Sequence, residues 1–227
     1  MTLLGLIVEP GRVVAWQDTE AFGRDGRPDG EFLKLSVSAV GLVAAGTGSV
    51  PIIRCAGSVL QSELDIDAIE RQMPGKLRRR AAELAAGKVI ENESWCAREV
   101  VVAAGFSPSA RRMVGWRFTG AGFFAAVLAS RIAMPTNDLI EGRLASICGL
   151  TDVLRVARQQ IAALRQNGCE DATGGTLTVA ELTPDEVHCW KFPEFDLRVA
   201  TSLQPDAPST SAPETILADV IPLAARP

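Results

Sequence analysis

The sequence holds a single histidine, His188, in 227 residues. Any Ser-His-Asp or Cys-His site would have to use that one imidazole. It lies in a late apolar stretch beside Val187, Cys189 and Trp190, which reads as a structural or exposed position. Cysteine is also sparse. Cys55, Cys96, Cys148, Cys169 and Cys189 are odd in number and scattered, with no CxxC pair, so neither a disulfide framework nor a zinc site has support. They read as reduced, mostly core thiols of a cytoplasmic protein. No Asp/Glu/His cluster has metal-ligand spacing and no GxxxxGK[ST] loop is present, so no metal or nucleotide cofactor is expected. No run is long and apolar enough to span a bilayer; the best, 123–134, is short and contains Arg131. The start lacks the basic region of a secretory signal. Charge of one sign does not dominate either: 23 basic against 27 acidic residues give a net −4, with no general pull toward nucleic acid or membrane. Lys76, Arg78, Arg79 and Arg80 share a helix-like stretch with Leu77, Ala81 and Leu84, and read as a solvated helix face.

What is present is an ordinary globular composition, and a single domain of this length buries roughly 70% of its unfolded surface. Apolar runs at 3–8 and 13–16 flank Glu9-Pro10-Gly11-Arg12, where Pro then Gly predicts a hairpin turn. A polar, Gly-rich loop follows at 23–30, then strands over 32–45 ending at Gly46-Thr47-Gly48. Ser49 is placed to cap a helix with Pro51 in its first turn, and Ile52, Ile53, Ala56, Val59, Leu60 and Leu64 recur at helical spacing. Asp65 or Asp67 caps a continuation that Pro74-Gly75 is expected to break, with a second helix over 76–86 stopped by Gly87. Strands are expected at 100–104, 114–118 and 123–128, and helices at 139–147 and 153–164. The second of these is capped by Thr151 and stopped by Gly168. Strands return at 176–180, 187–192 and 195–200.

Strands, two helices, strands, two helices, strands is a segregated order. It predicts α+β: a four-layer αββα sandwich of two antiparallel sheets flanked by helix pairs. The domain is expected over 1–201. Beyond it, 202–227 contains Pro205, Pro208, Pro213, Pro222 and Pro227 with Ser and Thr, and reads as a mobile tail. Trp16, Trp95, Trp116 and Trp190 read as core.

Chemistry-bearing residues stand at element edges: Thr2 before the first strand, Asp18 at the end of the hairpin's second arm, Lys34 at the opening of the next strand, and the Gly46-Thr47-Gly48 turn. If the hairpin folds back, Asp18 lies near the start of the first strand. With Met1 removed, Thr2 carries both a hydroxyl and a free α-amine, whose reference pKa of about 8 suits it as general base. An ammonium at Lys34 lowers the pKa of both groups and stabilises developing alkoxide, and Asp18 holds Lys34 in place. Backbone N–H groups around Gly48, ahead of a helix, are placed to form an oxyanion hole. Against this, Thr2 is also merely the second residue of a chain, Asp18 a common turn residue, Lys34 a common edge-strand lysine, and the glycines suit any strand-to-helix turn.

At these residues the chain resembles the proteasome β-subunit family of N-terminal-nucleophile hydrolases and its bacterial dodecameric relatives. The resemblance lies in Thr2, Gln17-Asp18-Thr19, Phe32-Leu33-Lys34-Leu35 and Ala44-Ala45-Gly46-Thr47-Gly48, in register over the first fifty residues. It implies a threonine-type amide hydrolase, most simply a peptidase, in a homo-oligomeric ring with an ATP-driven unfolding partner. It also implies an acid before a Ser-Gly-Gly-like turn, here Glu170 or Asp171 ahead of Thr173-Gly174-Gly175. A serine close to the nucleophile is implied as well, matched best by Ser130, although the glycines that flank it in the family are absent. Two other readings stay open: a relative that has lost catalysis and serves as a structural or binding subunit, and a hydrolase of a small amide such as an acylated amino acid.

Overall fold

Pro10 and Gly11 turn the chain between β1 (Leu4–Glu9) and β2 (Arg12–Asp18), which pair from Glu9↔Arg12 to Leu4↔Gln17. This antiparallel hairpin is the centre of the molecule, seen in a computed structural model that describes residues 2–22, 28–87, 98–166, 175–193 and 217–222. A short ribbon of β3 (Glu20–Phe22) and β4 (Pro28–Glu31) follows where a loop was expected. Next come β5 (Ser36–Val37), β6 (Leu42–Thr47), α1 (Val50–Ser62) and α2 (Ile66–Ala86). A meander of β7 (Val100–Ser107), β8 (Arg112–Thr119) and β9 (Ala126–Leu128) is followed by β10 (Arg131–Met134), which crosses to the other sheet, and then by α3 (Asp138–Leu144) and α4 (Leu150–Gln166). The described chain ends with β11 (Leu177–Leu182), β12 (Glu186–Phe192) and β13 (Leu217–Pro222).

Two antiparallel sheets result, one ordered β10-β1-β2-β11-β12-β13 and the other β5-β6-β7-β8-β9. Strand alternation sorts their side chains into three apolar layers. Leu4, Leu6, Val13, Ala15, Ala180 and Leu182 of the first sheet meet Val43, Ala45, Val102, Ala104 and Met113 of the second between the sheets. On the outer face of the second sheet, Leu42, Ala44, Val101, Ala103 and Phe118 pack under Ile52, Leu60, Ile69, Met73 and Leu77 of α1 and α2. On the outer face of the first, Ile7, Val14, Trp16 and Val179 pack under Ile140, Leu144, Val153, Val156 and Ala157 of α3 and α4. The expected four-layer αββα sandwich is the observed fold.

One polar link crosses the outer layer. The Trp16 indole lies across Gly5, where any β-carbon would fall 1.9 Å from the ring. Its Nε1–H donates to Gln160 Oε1 at 2.8 Å, and Gln160 Nε2 donates to the carbonyls of Leu4 (2.9 Å) and Met134 (3.0 Å). Gln160 is fully buried, so these bonds satisfy an amide that burial would otherwise penalise.

Several local expectations need correction. Pro74 does not break the chain into two helices: α2 runs through it. Met73 and Leu77, both fully buried, hold the segment on the sheet across the one backbone bond that proline cannot make. Asp65 is the cap, accepting from Ala68 N at 2.8 Å. Thr151 lies inside the first turn of α4 and does not cap it. The third meander strand begins at Ala126, because Phe123 and Phe124 take left-handed φ values of 51° and 54° to close a turn at Gly120–Gly122. Residues 217–222 of the expected tail instead extend the first sheet by pairing with β12: the stretch Leu217-Ala218-Asp219-Val220-Ile221 is mostly apolar with two β-branched residues, and proline stands only at its last position. Of the described cysteines, Cys148 is exposed and Cys55 and Cys189 are half-buried, so none is a core thiol. Trp95, Cys96, Cys169 and the strand expected at 195–200 lie outside the described residues.

Candidate active site

The β1–β2 register dictates the first contact. With Leu4 opposite Gln17, the next pair outward is Leu3 and Asp18, and their backbones and side chain meet. Leu3 N donates to Asp18 Oδ1 at 2.9 Å, and Asp18 N donates to Leu3 O at 3.4 Å. Phe32 N then donates to Thr19 O at 2.6 Å, which lays segment 32–34 beside the end of β2. That delivers Lys34. Its Nζ stands 3.3 Å from Asp18 Oδ1 and donates to Thr2 Oγ1 at 3.2 Å. Thr2, Asp18 and Lys34, thirty-odd residues apart in sequence, therefore form one hydrogen-bonded chain of hydroxyl, ammonium and carboxylate.

This chain is dry. Asp18 is 2% and Lys34 4% exposed, while Thr2 is partly open to solvent. Burial raises the Asp18 carboxyl from 3.8 to about 6, against the lowering effect of the Lys34 charge, its hydrogen bond, the Leu3 N–H and the chain's amino terminus. At neutral pH Asp18 is therefore mostly ionised and serves as counter-charge to Lys34. Among the described residues its second oxygen, Oδ2, is buried with no hydrogen-bond partner, which accounts for part of the raised value.

The Gly46–Ser49 turn is held to the same end of the sandwich. Gln17, one residue before Asp18 and 1% exposed, points between the sheets. Its Nε2 donates to Gly46 O and its Oε1 accepts from Gly46 N at 3.2 Å. Gly48 has φ +116°, a conformation in which a side chain is strained, and a β-carbon there would fall 2.1 Å from Glu99 Oε2. Glu99, 1% exposed, lays its carboxylate on the start of α1: Ser49 N donates to Oε1 at 2.9 Å and Oε2 at 3.0 Å. Burial raises Glu99 from 4.5 to about 7, partly offset by its hydrogen bonding to Ser49.

Glu99 alters two expectations. Ser49 occupies the N-cap position of α1, but its own side chain makes no capping bond; the acceptor comes from Glu99. The Ser49 N–H, one of the donors expected around Gly48, is already occupied. Sequence reasoning missed both Glu99 and the role of Gln17. An isolated acid fifty residues past the turn carries no local signal, and only the pairing Thr47↔Val100 brings it opposite Gly48. Gln17 does carry one, since it alternates with Val13 and Ala15 on the inward face of β2.

Ser130 is not brought to this group. It lies in the link between β9 and β10, where its carbonyl accepts from Val8 N at 2.7 Å. Val8 is six residues along β1 from Thr2, or roughly 20 Å at about 3.3 Å per residue. The register Leu4↔Met134 puts the end of β10, and not its beginning, near Thr2. Glu170 and Asp171 lie outside the described residues. His188 sits four residues along β12 from Phe192, the level reached across β11 from Asp18; it bonds Glu186 Oε1 at 3.0 Å and stacks on Trp190 at 5.7 Å. Among the described residues no group of acids, cysteines or histidine is arranged to hold a metal ion, and no helix is long and apolar enough to cross a membrane.

The fold has solved counterparts. Anbu (ancestral beta-subunit) from Yersinia bercovieri is similar over 81% of this chain and 82% of that one, with TM-score 0.57 and 10% identity. The Anbu (Gly-1) mutant from Hyphomicrobium sp. strain MC1 is similar over 80% and 81%, with TM-score 0.56 and 10% identity. The chain shares the Anbu fold. At this identity the likeness extends to the fold alone. No family model and no curated protein matches the sequence.

Proposed function

We propose that this chain is a threonine-type amide hydrolase, most simply a peptidase, in which Thr2 acts once Met1 has been removed. The observation that carries the reading is the buried Lys34 ammonium, 3.2 Å from Thr2 Oγ1 and 3.3 Å from Asp18 Oδ1. In the proposed cycle the Thr2 α-amine takes the hydroxyl proton as Oγ1 attacks the substrate carbonyl. The new C–O bond leaves a tetrahedral oxyanion facing the Gly48 side of the site, and Lys34 stabilises the negative charge developing on Oγ1. The Thr2 α-ammonium so formed then gives that proton to the departing amine as the C–N bond breaks, leaving an acyl ester on Thr2 and the α-amine free again. Water, deprotonated by the same amine, hydrolyses the ester and restores the hydroxyl.

The likeness to a protein named an ancestral beta-subunit supports placing the chain in a homo-oligomer; a ring form and an ATPase partner rest on the sequence resemblance alone. Free thiols at Cys55, Cys148 and Cys189 favour the cytoplasm. The test joins two measurements. Intact mass of protein purified from cells is expected to show Met1 absent, and Thr2→Ala is expected to abolish both peptide turnover and acylation by probes specific for N-terminal threonine. Turnover unchanged in Thr2→Ala refutes the mechanism.

One observation favours a second reading, a relative without catalysis that serves as a structural or binding subunit. Glu99 already occupies the Ser49 N–H. Native protein that retains Met1 and ignores the probes would establish this reading. Peptides tested beside small acylated amino acids separate a peptidase from a small-amide hydrolase.

A further inference from the structure

We infer that Gln17 and Glu99 form a two-sided clamp on the Gly46–Ser49 turn, making both of them positioning residues for the backbone that the proposed mechanism uses to hold the oxyanion. The inference rests on the proposed hydrolase reading for its functional consequence, though not for the clamp itself. The geometry is specific. The turn leaves β6 at Thr47 and enters α1 at Val50, so Gly48 and Ser49 belong to no hydrogen-bonded ladder, while Gly46 and Thr47 still pair with Val101 and Val100 of β7 on one side. At its first residue the Gln17 amide engages both polar backbone groups of Gly46. At its last, the Glu99 carboxylate engages Ser49 N with both oxygens. The two come from different sheets: Gln17 from the strand that carries Asp18, and Glu99 from the residue before β7.

Each half of the clamp has a cost that a simple packing role would not justify. Gln17 and Glu99 are each 1% exposed, and an apolar side chain in either place would avoid burying a polar one. Glu99 also lies within 2.1 Å of where a β-carbon on Gly48 would stand, so glycine and carboxylate fit only each other. Because Gln17 precedes Asp18 directly, one rigid strand fixes both the counter-ion of Lys34 and the start of the turn. Fixing both ends of the turn fixes the direction of its central N–H relative to Thr2, and a displacement there of about 1 Å is enough to cost roughly a hundredfold in rate.

The experiment uses the full chain with Met1 removed, unsubstituted and as Gln17→Leu, Glu99→Leu and Glu99→Gln. Amide exchange is read residue by residue by NMR, and Thr2 acylation by intact mass. Exchange at Gly46 is expected to quicken roughly tenfold in Gln17→Leu, and exchange at Ser49 likewise in Glu99→Leu, with the rest of the sheet unchanged. Acylation is expected to fall about 10- to 100-fold in both Leu variants, and Glu99→Gln, which keeps one acceptor, to recover part of it. Unchanged exchange at both amides overturns the clamp. Quickened exchange with unaltered acylation overturns its positioning role. If the unsubstituted chain is not acylated at all, the hydrolase reading fails and amide exchange alone decides the clamp. If a Leu variant does not fold, Gln17→Met and Glu99→Met, which keep an unbranched chain of similar length and remove the acceptors, carry the same exchange test.

Discussion

Replacing Glu99 by glutamine should remove a component of the protein's loss of stability between mildly acidic and neutral pH. The carboxyl titrates near 4.5 in an unfolded chain and at about 7 in the fold, because burial disfavours its charge more than the Ser49 N–H favours it. The native state therefore holds this proton longer than the unfolded state does. The group's contribution to stability is complete below pH 4.5 and is lost as the pH climbs through 7. At about 1.4 kcal/mol per unit, the full loss is about 3 kcal/mol, most of which falls between pH 5 and pH 8. For a chain of this size that corresponds to about 5–10 °C in Tm.

Glutamine does not titrate, so Glu99→Gln should lack this component. The quantity to measure is a difference of differences: unfolding free energy by denaturant at pH 5 and at pH 8, in both proteins. Asp18 acts in the same direction between 3.8 and about 6, but it is present in both and cancels. The absolute stability of Glu99→Gln is not the readout, since a buried amide brings N–H groups needing partners of their own. Equal pH-dependence in the two proteins, within about 1 kcal/mol, would show that Glu99 is not a desolvated carboxyl and would remove the basis for treating the turn as tightly held.

Three further outcomes are expected. Lys34→Met, which keeps the buried stem and removes the ammonium, should lower Thr2 acylation by about 10²–10³-fold, read by intact mass over time; a loss under threefold would contradict a role for the Lys34 contact. Gly48→Ala should destabilise by about 2 kcal/mol or more, through a positive φ and a collision with Glu99, and denaturant unfolding at pH 7 measures it. Gln160→Leu strands the Trp16 indole N–H and two strand carbonyls, and should cost about 2–3 kcal/mol by the same assay without changing acylation.

The architecture was legible because its signals are local and repeated. The apolar runs at 3–8 and 13–16, the Pro10-Gly11 turn and the Ile52-Ala56-Val59-Leu60 spacing each specify an element, and their order allows few ways of layering. Thr2, Asp18 and Lys34 were legible as a group because each sits at an element end that the hairpin brings together. What failed needed knowledge of what lies across space. Pro74 reads as a break until Met73 and Leu77 are known to be buried together. The 217–222 strand is hidden among prolines whose meaning depends on whether an edge is free to receive it. Ser130 was placed by kind of residue, and the β1–β10 register assigns it to the wrong end of the strand. Glu99 had no signal because the partner of an isolated acid is set by strand pairing alone.

The two buried carboxylates explain each other's treatment by the fold. Asp18 and Glu99 are both nearly inaccessible and both raised by burial, from 3.8 to about 6 and from 4.5 to about 7. Their partners differ: Asp18 has a cation at 3.3 Å, whereas Glu99 is held by the Ser49 N–H and has no cation in hydrogen-bonding contact among the described residues. An ion pair keeps its carboxylate charged at neutral pH, so the Lys34 ammonium beside Thr2 retains a counter-charge throughout the range in which an α-amine of reference pKa about 8 loses its proton. Glu99, half-ionised near pH 7, places no full negative charge at the start of α1, where one would oppose an incoming oxyanion. A fold that needed only to fill this end of the sandwich would have no reason to give one acid a lysine and the other a glycine.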